Sequence, residues 1–273
     1  MCRSNPNARN IICDQVGYVY DQYFVSEIEV KVVNFLMRKL KYTFGKEYRE
    51  EIESIAEFVK NDCKDDRVNE AVIFTLNLVY EVSAADFDKI PLKQKKLAEA
   101  ISPEQDFFNL QNNFSDNEKI AEIVERFVLR RAKTFGYKNG NQACTSLFAW
   151  NSLENKTYAA RNMDFNPYGP LKKMLYDIDV YKNYGDETPI AKASTFIGYI
   201  GFWTNFRPGK FAVTMNERTY SRIAVNILNM LVAADQNKEA SDQSFESKIV
   251  PISTKVRDTT VKCDSFDCAF NSL

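Results

Sequence analysis

An α+β fold is predicted for this 273-residue chain by three features of its sequence. Apolar residues recur at helical spacing through most of the first half. From Cys144 the pattern changes to short, β-rich runs. The turn signal Lys138-Asn139-Gly140-Asn141 separates the two regimes and places a loop just before that cysteine.

Taken in order, Ser26 and Glu29 have capping-box spacing ahead of an apolar-rich run from Ile28 to Leu40. A second helix is expected over Lys46–Lys60. A third is expected to be capped by Asp66, with Val68, Val72, Thr75, Val79 and Val82 on one stripe widened by Phe74 and Leu78. Residues 85–141 are more polar. There Ser115 and Glu118 are expected to cap a helix carrying Ile120, Ile123, Val124, Phe127 and Val128.

Strands are expected at Thr145–Trp150, Met174–Tyr181, Ala193–Phe202 and Phe211–Met215. Ile178 and Val180 alternate with Asp177, Asp179 and Tyr181, as in a strand with one wet face, so these aspartates are expected to face solvent. After Ser221, Ile223, Ile227, Leu228 and Leu231 fit an amphipathic helix. A polar stretch follows over 235–247, and Val250–Val256 and Thr259–Val261 read as marginal strands.

Composition narrows the function. Hydrophobic residues make up 45% and charged residues 27%, which suits a folded chain. The net charge of −1 and the lack of an aromatic-basic motif exclude nucleic acid as an expected partner. The basic runs Lys93–Lys96 and Arg130–Lys133 are expected to lie on polar helix faces and contact water. No stretch has the apolar length of a membrane span, and residues 1–6 lack the apolar core of a signal peptide.

Histidine is absent. This removes Cys-His and Ser-His-Asp catalysis and every imidazole metal site, so any nucleophile needs another base, and no cofactor or metal is expected. The six cysteines include no Cys-x-x-Cys pair. Cys263 and Cys268 suit either a small disulfide loop or ordinary thiols, depending on compartment. Asn113-Phe114-Ser115 and Asn155-Lys156-Thr157 fit the N-glycosylation acceptor pattern, which matters only for a secreted chain.

Cys144-Thr145-Ser146 opens the first strand, and Arg161-Asn162-Met163-Asp164-Phe165 follows one hairpin later, bringing a cation and a carboxylate within reach of the thiol. Alone, a strand-edge cysteine is ordinarily a small buried hydrophobe and Arg161 with Asp164 an ordinary ion pair. Three further blocks add to this pair: Ala193-Ser194-Thr195-Phe196-Ile197-Gly198-Tyr199-Ile200-Gly201-Phe202-Trp203-Thr204, Phe206-Arg207-Pro208-Gly209-Lys210-Phe211 and Asn216-Glu217-Arg218. In this order the blocks resemble the acid ceramidase and N-acylethanolamine-hydrolysing acid amidase family. Tyr48–Ala56 and Asn77-Leu78-Val79-Tyr80-Glu81 are similar to the end of that family's helical α-subunit, with 85–141 reading as an insertion.

The resemblance implies an N-terminal nucleophile hydrolase with an incomplete αββα sandwich preceded by a helical α-subunit region. Residues 1–143 would form the α-subunit-like region, 144–221 the β-subunit catalytic core and 222–273 a divergent C-terminal segment. It also implies autocleavage between Ala143 and Cys144, after which the freed α-amino group activates the thiol. Asp164 would hold the new ammonium, Arg161 steady the thiolate and Glu217 manage protons. Tyr199, Phe202 and Trp203 occupy the block that resembles the acyl-channel wall, although such aromatics ordinarily belong to a core.

The implied substrate is a lipid amide, ceramide or N-acylethanolamine. The implied partners are the two subunits of one precursor, a membrane surface and lipid-presenting proteins, in the lysosome. An oxyanion asparagine in the family's context is not found in residues 222–273. The competing readings are therefore a catalytically inactive relative and a lipid-binding or interaction module that retains the acyl channel.

Overall fold

The structure is a computed structural model, and it describes residues 13–14, 16–18, 20–21, 26–83, 90–134, 143–164, 172, 174–216, 222–240 and 250–273. The chain forms two compact units, one of residues 1–139 with 219–251 and one of 140–218 with 252–273. The mixture of helices and sheets agrees with the α+β expectation.

The first unit is helical. Its helices include α1 (Glu27–Leu40), α2 (Lys46–Asp62), α3 (Glu70–Ser83), α4 (Leu92–Ala100), α5 (Pro103–Asn112), α6 (Asn117–Thr134) and α7 (Ile223–Ala240). The capping box at the start of α1 forms as expected. The Ser26 hydroxyl accepts from the Glu29 N–H, while the Glu29 carboxylate accepts from the Ser26 N–H at 3.1 Å.

Two other caps differ from expectation by one to three residues. α3 is capped by Asn69, whose Oδ1 accepts the Val72 N–H at 3.1 Å, in place of Asp66. α6 is capped by Asp116, whose Oδ1 accepts the Lys119 N–H at 3.1 Å, in place of Ser115. That bond, to a donor exposed by the helix start, holds the Asp116 carboxyl below its ordinary pKa. In both cases an amide or carboxylate nearer the first turn reaches the orphan N–H groups more directly.

The apolar stripes meet in the interior. Phe44, Ile52, Val68, Val72, Ile73, Phe74, Leu110, Ile120, Ile223, Ile227 and Leu231 are fully or nearly fully buried, each stabilising by roughly 1.5–3 kcal/mol. The side chains of Val79 and Val82 lie outside the described set. A polar clasp ties three helices together: Lys39 donates to Asn117 at 2.6 Å and pairs with Asp235 at 3.0 Å, and Asn117 also donates to Asp235. α7 continues to Ala240 through sequence read as a polar tail.

The segment 85–141 has a polar interior of its own. Asp106 on α5 is fully buried and accepts from Arg126 on α6 at 2.6 Å and 3.0 Å and from Arg130 one turn later. Arg126 also donates to Gln94 on α4, and Arg130 to the carbonyls of Ala98 and Ile101 at 2.8 Å. Arg130 therefore does not face water as its basic run suggested: a buried carboxylate and two unsatisfied helix-end carbonyls draw it inward. The fully buried Glu125 accepts from Arg222 at 2.9 Å and from the Ala224 N–H at 3.1 Å, fixing the start of α7.

The second unit contains a two-stranded sheet, β1 (Ala143–Asn151) with β2 (Lys156–Asp164), and a four-stranded antiparallel meander. The meander runs β3 (Leu175–Val180), β4 (Ala191–Phe196), β5 (Thr204–Arg207) and β6 (Phe211–Thr214) in sequential order. β4 stops at Phe196, short of the expected Phe202, because Gly198 takes a positive φ of 81° and the Tyr199 N–H closes a turn onto the Phe196 carbonyl. Asp177 and Asp179 are exposed as expected, bonded to Ser194 and to Lys192 (3.3 Å) across the β3–β4 pair.

Val250–Val256 and Thr259–Val261, expected as marginal strands, lie mostly in α8 (Ile252–Lys262), which is followed by α9 (Phe266–Ser272). β-branched residues favour strands, but here Ser253, Thr254, Val256, Thr259 and Thr260 are buried and find specific partners. Tyr199 donates to Ser253 at 2.7 Å, Thr260 donates to Asn205, and the Arg207 guanidinium donates to the Val261 carbonyl at 2.6 Å. A Cβ at Gly201 would stand 2.3 Å from Ser253 Oγ. Gly201→Ala is accordingly expected to cost about 1–3 kcal/mol, read as a lower denaturant midpoint, and Ser253→Gly in the same chain should recover part of it.

Among the described residues there are two disulfides, Cys13–Cys63 in the first unit and Cys263–Cys268 in the second, leaving Cys144 as the free thiol among the described cysteines. The second decides the alternative left open by its spacing. The first spans 50 residues and brackets α1 and α2. Cross-linking a loop of that length removes about 4 kcal/mol of unfolded-state entropy.

Candidate active site

The site is built on the ladder of β1 and β2, in which Ala143 pairs with Asp164, Cys144 with Met163 and Ser146 with Arg161. Side chains directly across an antiparallel pair share a face, and so do residues two apart along one strand. Cys144, Ser146, Arg161 and Met163 therefore share one face. It is the half-covered side of the hairpin; Thr145, Leu147 and Asn162 are exposed.

From this diagonal position Arg161 Nη2 lies 3.1 Å from Cys144 Sγ. A guanidinium at that distance donates a charge-assisted hydrogen bond to the sulfur as it ionises. The guanidinium carbon also sits 5.8 Å from the centre of the Trp203 ring, so a buried aromatic face supports the cation from another side. Arg161 Nε is buried without a hydrogen-bond partner among the described residues, an arrangement that proteins seldom leave without a role.

The rim of the site includes three residues that sequence reasoning did not assign to it. Ser146 Oγ lies 2.8 Å from Thr214 Oγ1 at the end of β6 and donates to Asn216 Oδ1 at 2.9 Å. These bonds hold the first residue of the Asn216-Glu217-Arg218 block beside the strand that carries the thiol. The period-2 pattern placing Ser146 beside Cys144 was visible in the sequence, whereas the partnership across 68 and 70 residues was not.

The remaining expected site residues are placed as follows. Asp164 pairs through its backbone with Ala143, across from the Ala143–Cys144 peptide, and its side chain is outside the described set. Glu217 also falls outside the described residues, as does the turn at Lys138–Asn141. Trp203, Tyr199 and Phe202 are buried together, with Trp203 at 5.2 Å from Tyr199 and 5.8 Å from Phe196 between ring centres. The packing role ordinary for such aromatics is thus present, beneath the cation of the site.

Residues 144–265 match the model of the linear amide C–N hydrolases, choloylglycine hydrolase family. Among curated proteins, the N-acylethanolamine-hydrolyzing acid amidase of Rattus norvegicus is 30% identical over 48% of this chain and 31% of its own length. That of Oryctolagus cuniculus is 34% identical over the same shares. Acid ceramidase of Homo sapiens is 33% identical over 28% of this chain and 21% of its own length. The chain thus spans about a third of the length of the amidases it matches. The likeness to both named enzymes agrees with the resemblance read from the sequence blocks.

Proposed function

We propose, proceeding from residues 144–265 as a domain of the choloylglycine hydrolase family of linear amide C–N hydrolases, that this chain is a cysteine amidohydrolase of fatty-acyl amides. The observation that carries the reading is the 3.1 Å contact of Arg161 with Cys144 Sγ, at the residue where the family match begins. A match that starts on the cysteine suits a nucleophile that becomes the first residue of a mature chain.

The chemistry balances without histidine. Cys144 Sγ attacks the Ala143 carbonyl, the Ala143–Cys144 C–N bond breaks, and the thiol proton passes to the Cys144 nitrogen, which leaves as a free amine. Water then hydrolyses the thioester, leaving the Ala143 carboxylate and an N-terminal cysteine. That amine, with an unperturbed pKa of roughly 7.7–8.0, takes the thiol proton. The thiolate, steadied by Arg161, attacks the substrate carbonyl. The amide C–N bond breaks as the proton passes to the departing amine, and water releases the fatty acid from the acyl-thioester.

Asp164 would hold the α-ammonium, a role that fits its backbone position opposite Ala143. Glu217 would handle protons next to Asn216. Trp203, Tyr199 and Phe202 would border the acyl chain. Both relatives are named as acid hydrolases, and two disulfides favour an oxidising compartment, so the lysosome is the proposed location. Among the described residues, no helix is long and apolar enough to cross a membrane.

Self-cleavage is the test. Incubation of the purified full chain at mildly acidic pH is expected to give two fragments, the smaller beginning at Cys144 on N-terminal sequencing. Persistence of an intact chain, with no release of fatty acid from either ceramide or an N-acylethanolamine, would overturn the reading. Comparing release from those two lipids identifies the amine half that the site accepts.

A further inference from the structure

We propose that Asn155 is an N-glycosylation site, whose side-chain nitrogen carries an oligosaccharide at the end of the β1–β2 hairpin remote from the thiol. The two acceptor triplets of the sequence are equivalent as patterns, and the fold separates them. Asn151 pairs with Lys156, so Asn155 is the last residue of the connecting turn. Asn151 Oδ1 shapes that turn by accepting the Leu153 N–H at 3.0 Å. Asn155 is exposed and stands in the left-handed region at φ 52°, which asparagine tolerates better than most residues. Thr157 is exposed as well, one residue into β2.

Asn113 is committed elsewhere. Its amide donates to the Asn109 carbonyl at 2.7 Å at the end of α5, and its Oδ1 accepts from Lys119 at 3.3 Å. The Phe114 ring beside it packs on Phe35 with centres 4.6 Å apart. A glycan on Asn113 would break that helix end, whereas Asn155 is exposed on the hairpin turn. The two disulfides supply the independent sign that the chain matures where such transfer occurs.

In the transfer step, Asn155 Nδ2 forms a bond to the anomeric carbon of a lipid-diphosphate-linked oligosaccharide. The bond from that carbon to the diphosphate breaks, the lipid diphosphate leaves, and the amide gives up one proton. Cys144 lies seven strand residues from Asn151, roughly 24 Å at about 3.4 Å per residue, so the glycan would not cover the thiol.

The full chain, directed into the secretory pathway of a eukaryotic cell and carrying an appended reporter acceptor site, tests this. Two glycosidase-sensitive increments of mass are expected, with peptide mapping placing one at Asn155 and one at the reporter. Asn155→Gln and Thr157→Ala should each remove one increment, Thr157→Ser should keep it, and Asn113→Gln should change nothing. Occupancy of the reporter alone, or an increment that survives Asn155→Gln, would overturn the proposal. Occupancy of the reporter shows that the chain reached the transferase, so a missing second increment is decisive.

Discussion

Cys144→Ala is expected to leave the chain uncleaved and to lower hydrolysis of a fatty-acyl amide by about 10⁶ in turnover, the size of effect seen when a catalytic nucleophile is removed. The substitution deletes a half-covered sulfur at a strand end, so little stability should go with it. The loss should therefore appear in a chain whose denaturant midpoint matches that of the uncleaved wild type. Fragments from the Cys144→Ala chain would point to a contaminating protease and remove the thiol from the reaction.

Arg161→Ala tests the same contact from the other side. Deleting one preorganised donor to a developing anion typically costs about 10²–10³ in turnover, and Arg161 is the group at 3.1 Å from the sulfur. Arg161→Lys keeps the charge but not the planar fork or its stacking against Trp203, and it should fall between the wild type and Arg161→Ala. The rate of alkylation of Cys144 by iodoacetamide should follow the same order. That readout registers support of the thiolate even where no lipid is turned over. Equal alkylation rates in all three chains would sink the role given to Arg161.

The second large effect is structural. Asp106→Asn is expected to destabilise the helical unit by about 3–5 kcal/mol, because it leaves the guanidinium groups of Arg126 and Arg130 without their buried counter-charge. Urea unfolding followed by circular dichroism should show a lower midpoint at an unchanged slope. Replacing Asp106, Arg126 and Arg130 together by apolar residues of similar volume should cost less than the single change, because no charge is then stranded. A shift of under about 1 kcal/mol for Asp106→Asn would mean that water already reaches the cluster.

What could be read in the sequence was local or carried by resemblance. The capping box of Ser26 and Glu29, the helical stripe through Ile120, Ile123 and Val124, and the wet aspartates of β3 depend on neighbours within a few residues. The nearness of Arg161 to Cys144 also followed from one intervening hairpin. The α8 sequence misled because its valines and threonines satisfy strand preference locally. Only the docking of Ser253 and Thr260 against Tyr199 and Asn205 makes a helix the better solution.

By itself, then, the sequence determined the α+β order, the absence of histidine that removes Cys-His catalysis, and the cysteine at which the match to the linear amide C–N hydrolase model begins. Tertiary structure alone decided the Cys13–Cys63 link, the inward turn of Arg130 toward Asp106, the commitment of Asn113 to the end of α5 and the bond from Ser146 to Asn216. The physical reason is range. Propensity and periodicity act over one or two turns of chain, whereas a hydrogen bond across 70 residues exists only after the backbone has brought its ends together.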